Sequence, residues 1–252
     1  MSRYRISFQL YSARNFPPIE PQLEALKAMG YDAVEPYRGA YGENPSGFRR
    51  AVDRAGLSCP TGHVALDALD TDRGAAIELA RTLGLETVVV PYLVPEKRPH
   101  DAAGWAAIGR RLGEHAAALA DAGFNLAWHN HDFEYRPLPG GERPIDLLLA
   151  APGVRFEADI GWIVRAGADP KAEIVKYGDK VAAFHVKDVA AAGTTVEDGW
   201  ADVGAGTIDW KALWPAMAAT GCDLLVLEHD NPADWKRFAS ASHRFVADLV
   251  KG

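Results

Sequence analysis

The sequence predicts an α/β fold, a closed (β/α)8 barrel, on three observations. Eight short apolar runs each precede a stretch with helical spacing, which implies parallel strands joined by right-handed crossovers. The chain has 252 residues, an ordinary size for such a barrel in one domain. The turn after the first strand, Ser12-Ala13-Arg14-Asn15-Phe16-Pro17-Pro18, lacks the Gly-rich pattern that would favour an open doubly wound sheet. No shift in composition marks a boundary, so residues 1–252 read as one domain.

The elements follow in order. Residues 6–11 form the first strand, and 19–29 a helix with Leu23, Leu26 and Met29 on one face and Gly30 as its stop. Residues 33–35 are the second strand. The next helix, 44–55, has Pro45 at its start and Gly56 after its end, the usual asymmetry. The third strand is 57–63, followed by a helix over 71–83 that Gly84 closes. Thr87-Val88-Val89-Val90-Pro91, dense in β-branched residues, is the fourth strand. A loop with Pro95 and Pro99 leads to the longest helix, 101–122, ended by Gly123. The fifth strand is 125–129. After a turn-rich break at 139–144 come a short helix over 145–150, the sixth strand at 154–159 and a helix over 170–177. The seventh strand is 181–186, followed by a loop over 190–206 without a period. A helix over 210–220 follows, its start moved later by Pro215. The eighth strand is 224–227 and the last helix 232–250.

Composition excludes several classes. Net charge is −7 with no basic cluster, which argues against nucleic acid or an anionic membrane as partner. Cys59 and Cys222 are far apart and outside any CxxC, so they read as buried thiols in a reducing compartment. No signal-peptide pattern and no apolar run of transmembrane length occurs, so a cytoplasmic location is expected.

Titratable chemistry concentrates in Trp128-His129-Asn130-His131-Asp132-Phe133-Glu134, at the end of the fifth strand. In a barrel of this kind the C-terminal strand ends form the active site. Those ends supply Gln9, Glu35, His63, Tyr92, His129, His131, Glu134, Asp159, Trp162, His185, Lys187, Asp188, Glu228, His229 and Asp230. The fifth to eighth strands each contribute a carboxylate or imidazole. Such ligands, with no thiolate, suit a borderline divalent ion: Mn²⁺, Co²⁺, Zn²⁺ or Fe²⁺. An ion of this kind polarises a sugar carbonyl, and a nearby glutamate removes the adjacent proton. Each residue also has a plainer reading: Asp159 as a turn cap, His185 as a core histidine, Glu228 as a lysine partner, and the aromatics as filling. Only the shared register of these positions lifts Asp159, His185 and Glu228 above it.

Six segments carry a family resemblance: Phe8-Gln9-Leu10-Tyr11-Ser12-Ala13-Arg14, His129-Asn130-His131-Asp132-Phe133-Glu134-Tyr135, Phe156-Glu157-Ala158-Asp159-Ile160-Gly161-Trp162, Phe184-His185-Val186-Lys187-Asp188, Val203-Gly204-Ala205-Gly206-Thr207-Ile208-Asp209-Trp210 and Val226-Leu227-Glu228-His229-Asp230. In that order they resemble the xylose isomerase-like TIM barrel superfamily of sugar phosphate isomerases and epimerases, which includes tagatose epimerases, inosose dehydratases and keto-sugar lyases. The resemblance implies a metal held by one group from each of the last four strands. Asp159, His185 and Glu228 match three of these. The fourth is His129 or Glu134; Glu134 is the expected ligand because its carboxylate keeps the ligand chemistry of relatives that carry Glu-Asn-His here. Glu134 and Glu228 then serve as catalytic acid and base, and His131 binds a hydroxyl or polarises the carbonyl. Gln9, Glu35, His63, His129, Trp162 and Lys187 are expected to contact substrate.

The function so implied is proton transfer α to a carbonyl on a keto-sugar or sugar derivative. The alternatives are a metal-dependent lyase on an inosose or 3-keto sugar, and a non-catalytic sugar-binding barrel. A nuclease on the same fold is disfavoured by the acidic balance. The partner is a small sugar or cyclitol, and the resemblance is compatible with a homo-oligomer.

Overall fold

The computed structural model describes residues 3–251, so residues 1, 2 and 252 of the expected span lie outside the description. Eight parallel strands form a nearly closed barrel: β1 (Arg5–Gln9), β2 (Ala33–Glu35), β3 (Thr61–His63), β4 (Thr87–Val90), β5 (Asn125–His129), β6 (Val154–Asp159), β7 (Val181–Val186) and β8 (Leu224–Leu227). They pair in the order β2-β1-β8-β7-β6-β5-β4-β3. The seam between β2 and β3 is bridged at Ala33 and Ser58, where Val34 N donates to Ser58 O at 2.9 Å.

Strand alternation divides the residues into two sets. Phe8, Val34, Val88, Val90, Leu126, Trp128, Phe156, Phe184 and Val186 face outward and join the apolar core under the helices. Gln9, Glu35, Thr61, His129, Glu157, Asp159 and His185 alternate with them and are buried polar groups inside the ring. One irregularity sets their level. The β6–β7 pairing shifts register between Phe156 and Glu157, so Phe156 faces Val181 while Glu157 faces Ala183. The extra residue, Ala182, brings Asp159 opposite His185; without it Asp159 would face Phe184, whose side chain points to the other side.

Several boundaries differ from the sequence reading, each for a local reason. The first strand stops at Gln9, whose side chain accepts from Tyr11 N and starts a tight turn over Leu10–Ala13. The third strand begins only at Thr61, because the Pro60 carbonyl is taken by Glu86 N and Thr87 N at 2.8 and 3.0 Å. The expected helix over 71–83 is two helices, Leu66–Thr71 and Arg73–Leu83, divided by Asp72, whose side chain caps Ala75 N. Pro215 does not delay its helix: Asp209 caps Ala212 N and fixes the start at Trp210, leaving the proline inside Trp210–Ala219. A short helix, Ile160–Arg165, directly follows β6 and has no counterpart in the sequence reading. The last helix, Trp235–Leu249, begins later than expected because Asp234 caps Lys236 N and Arg237 N.

The aperiodic loop after β7 is ordered around Asp188. Asp188–Val189 pairs antiparallel with Trp200–Ala201. The buried Asp188 carboxylate accepts from Val189 N (2.9 Å), Gly204 N (2.9 Å), Gly206 N (3.3 Å), Ile208 N (3.2 Å) and Trp210 Nε1 (2.9 Å). A Cβ on Gly206 would meet Asp188 Oδ1 at 2.2 Å, which explains a glycine there. The loop so held sets Trp200 against Lys187, beside the site described below.

Replacing Asp188 by alanine leaves several buried donors without an acceptor, at about 1–3 kcal/mol each before relaxation. The expected loss in Asp188→Ala is about 3–5 kcal/mol by urea denaturation. A loss below about 1 kcal/mol would show that water replaces the carboxylate.

Candidate active site

At the C-terminal mouth of the barrel, β5 to β8 bring His129, Asp159, His185 and Glu228 together. One ligand atom from each lies within 4.8 Å of the others, and all four residues are buried. Asp159 Oδ2 is 3.9 Å from His129 Nε2 and 3.8 Å from His185 Nδ1. His185 Nδ1 is 3.1 Å from Glu228 Oε2.

The orientation of Asp159 follows from local chain geometry. Its Oδ1 accepts from Trp162 N at 2.7 Å and caps the helix Ile160–Arg165. Its backbone is clamped by Asn130, whose Oδ1 accepts from Asp159 N at 2.8 Å and whose Nδ2 donates to Asp159 O at 3.2 Å. Oδ2 is left buried, without a hydrogen-bond partner, facing the two imidazoles. An orphaned carboxylate oxygen beside two ring nitrogens and a second carboxylate is a donor set that fits a divalent ion. Burial pushes the Asp159 acid up, with Lys187 and His185 opposing.

At the fifth strand the geometry bears on the choice between His129 and Glu134 that the sequence left open. Glu134 lies in a 3-10 turn, Phe133–Tyr135, that folds it back under the loop. Its Oε1 accepts from Trp128 Nε1 at 3.1 Å and its Oε2 from His131 N at 2.8 Å, so both oxygens are committed away from the cluster. Burial pushes its acid up to about 8, against those donors. Glu134 therefore lies outside both the ligand group and the cavity wall. His129, expected only as a substrate contact, stands in the ligand group.

A cavity of about 760 Å³ opens over the cluster. His63, His129, His131, Trp162 and Glu228 lie on its wall together with Tyr11, Tyr37, Tyr92 and Asp230. His131 is neutral at ordinary pH, since burial and the nearby Lys187 push its imidazolium down to about 3.

Gln9, Glu35 and Lys187, expected as substrate contacts, lie off this wall. Gln9 Nε2 donates to Glu35 Oε1 at 2.6 Å beneath the cavity floor. Lys187 is fully buried, with Nζ on Asp230 Oδ1 and 3.3 Å from Glu228 Oε2, and 4.1 Å from the Trp200 ring centre. Its ammonium is held above its ordinary range: burial works against the charge, and Asp230, Glu228 and Asp159 outweigh it.

Asn130 and Glu157 had no role in the sequence reading, and Asp230 was placed at a strand end without one. Asn130 clamps β6, and its signal was a polar residue between two histidines. Asp230 positions Lys187 from the cavity rim. Glu157 lies one layer below Asp159; its signal was the two-residue period of β6. Glu157 Oε2 lies within 3.2 Å of nitrogens of His63, His129 and His185.

Comparisons agree with this architecture. A family model described as xylose isomerase-like TIM barrel matches residues 23–249. The rhizopine catabolism protein MocC of Rhizobium meliloti is 27% identical over 194 residues, covering 68% of this chain and 58% of that protein. The chain thus spans under two thirds of that relative's length. A sugar phosphate isomerase/epimerase from Parabacteroides distasonis superposes with a TM-score of 0.82 at 17% identity, covering 99% of this chain and 96% of that one. The IolI protein with a bound zinc atom superposes with a TM-score of 0.79 at 16% identity, covering 98% of both chains. At such identities these two structures speak for the fold.

Two variants separate the alternative fifth-strand ligands. His129→Ala is expected to weaken Co²⁺ or Zn²⁺ binding about 100-fold or more, since four zinc ligands together supply about 10–16 kcal/mol. Glu134→Gln is expected to leave it unchanged. Titration calorimetry with a competing chelator reads both, and the reverse order of effects would restore Glu134 as the ligand.

Proposed function

The chain belongs to the xylose isomerase-like TIM barrel family, and within it we propose a divalent-metal-dependent sugar isomerase or epimerase that moves a proton α to the carbonyl of a keto-sugar or sugar derivative. The observation that carries this reading is the buried group His129, Asp159, His185 and Glu228, two of whose members also line the cavity. These four would hold the ion. When bound, the ion supplies Lewis acidity that stabilises charge developing on a carbonyl oxygen.

The remaining work falls to the chain itself. Among the four, Glu228 is the carboxylate on the cavity wall, and it is the proposed proton acceptor. Burial would raise its acid, but Lys187 and His185 hold it well below the usual carboxylate range, so it is ionised at any working pH. Lys187 orients it from behind through the contact at 3.3 Å. His131 lines the cavity as a neutral imidazole. Its ring is the proposed contact for a substrate hydroxyl. Trp162, Tyr92 and Phe133 offer apolar faces on which a sugar ring can stack, and they displace water from around the base. The same reading takes residues 1–252 as one cytoplasmic domain acting on a free sugar or cyclitol. No described helix is long and apolar enough to cross a membrane.

One observation favours a second reading, a lyase. With Glu134 turned away and His129 in the ligand group, Glu228 is left as the ion-side carboxylate facing the cavity. Epimerisation needs proton carriers on opposite faces of a carbon. Elimination of a β-oxygen needs one base and a proton for the leaving oxygen. A sugar-binding module needs neither.

Protein stripped with a chelator is expected to lose turnover of keto-sugars and inososes, and to regain it with Mn²⁺ or Co²⁺. In deuterated water, isomerisation or epimerisation yields product labelled at the α carbon without loss of water; the lyase reading yields an enone. Turnover that survives chelation contradicts the metal-dependent mechanism, and sugar binding without turnover points to the binding module.

A further inference from the structure

Glu157 has no part in the scheme above, yet one of its oxygens meets three imidazoles. Oε2 lies 3.2 Å from His129 Nδ1, 3.1 Å from His185 Nε2 and 3.0 Å from His63 Nε2. Glu35 Oε1 adds a contact of 2.7 Å to the same His185 nitrogen and one of 3.0 Å to His63 Nε2, and is itself held by Gln9. His129, Glu157 and His185 are buried within the barrel, and Glu157 and Glu35 are fully so.

The two ring nitrogens of each ligand histidine thus face different partners. His129 Nδ1 and His185 Nε2 face the inner carboxylates. His129 Nε2 and His185 Nδ1 face the outer carboxylates, Asp159 Oδ2 at 3.9 and 3.8 Å and, for His185 Nδ1, Glu228 Oε2 at 3.1 Å, the oxygens that would share the ion with them. A neutral imidazole carries one N–H and one lone pair. With the N–H directed at Glu157, the lone pair is presented outward, where an ion would take it. In the opposite tautomer a lone pair would meet a buried carboxylate and an N–H would block the ion site. Both errors would occur in a setting where water cannot screen them.

We infer that Glu157, assisted by Glu35, is the positioning residue of the metal centre, fixing the tautomers of His129 and His185 so that both present a lone pair to the same ion. This rests on the reading that His129, Asp159, His185 and Glu228 hold that ion. It also decides a competing possibility. His63, His129, Glu157 and His185 form a second group with ligand-like spacing. An ion there together with one in the outer group would require both shared imidazoles to lose both ring protons. The two groups therefore do not each hold an ion through the same imidazoles, and with the ion in the outer group the inner carboxylates remain hydrogen-bond acceptors.

The test is Glu157→Gln, nearly isosteric but able to accept or donate, and so indifferent to tautomer. Zinc affinity is measured by chelator competition, and histidine tautomers by nitrogen-15 spectra of the zinc-loaded protein. Wild type is expected to bind one ion per chain, with the ring proton on Nδ1 of His129 and on Nε2 of His185. Glu157→Gln is expected to bind about 10–100-fold more weakly. Loss of fold alone would not move a ring proton in the wild-type spectrum, so that spectrum decides the matter if the variant fails to fold. Unchanged affinity in a folded variant, the opposite tautomers in wild type, or two ions per chain would overturn this inference alone. No uptake of zinc by wild type would overturn the ion-site reading and this inference with it.

Discussion

One constraint governs the inside of this barrel: carboxylates and imidazoles are crowded where water does not reach. Glu35, Glu157, Asp159 and Glu228 are all at most 5% exposed. Each ionised carboxylate in such a place is costly unless a cation or a set of donors faces it. Lys187 answers Glu228, and His63 and His185 answer Glu35 and Glu157. Asp159 Oδ2, Glu35 Oε2 and Glu157 Oε1 are all buried without a hydrogen-bond donor, and of these Asp159 Oδ2 is the one that belongs to the outer ligand group. An ion held there would supply the positive charge that this oxygen lacks.

The fold sets this arrangement through small devices. The register shift between β6 and β7 levels Asp159 with His185. Asn130 ties the ends of β5 and β6 together, and the cap on Trp162 N turns Asp159 so that one oxygen is spent and the other is not. Asp188 gathers the loop after β7 and thereby presses Trp200 against Lys187, behind the base. Rigid neighbours of this kind matter because a ligand set is useful only if its members cannot relax towards one another when the ion leaves.

Much of this was legible in the sequence. Eight strand–helix units, the strand order around a ring, and the placement of Asp159, His185 and Glu228 at strand ends follow from periodicity and from where barrel chemistry gathers. What was not legible depended on turns. His129 and Glu134 are five residues apart on either side of a loop. Spacing does not say which of them faces the cavity; the 3-10 turn at Phe133–Tyr135 decides it. Gln9, Glu35 and Lys187, expected as substrate contacts, lie off the cavity wall for a related reason. Their strands were read correctly, but depth along the barrel axis was not, and these side chains lie beneath or behind the wall. Glu157 was visible as the inward neighbour of Asp159 two residues earlier, but a residue in the middle of a strand reads as structure until its partners are known.

The most direct test of the account is anomalous diffraction from crystals of the protein loaded with Co²⁺. The account predicts one anomalous peak per chain, bounded by His129 Nε2, Asp159 Oδ2, His185 Nδ1 and the Glu228 carboxylate. A peak among Glu35, His63 and Glu157 instead, or no peak within the barrel mouth, would contradict it.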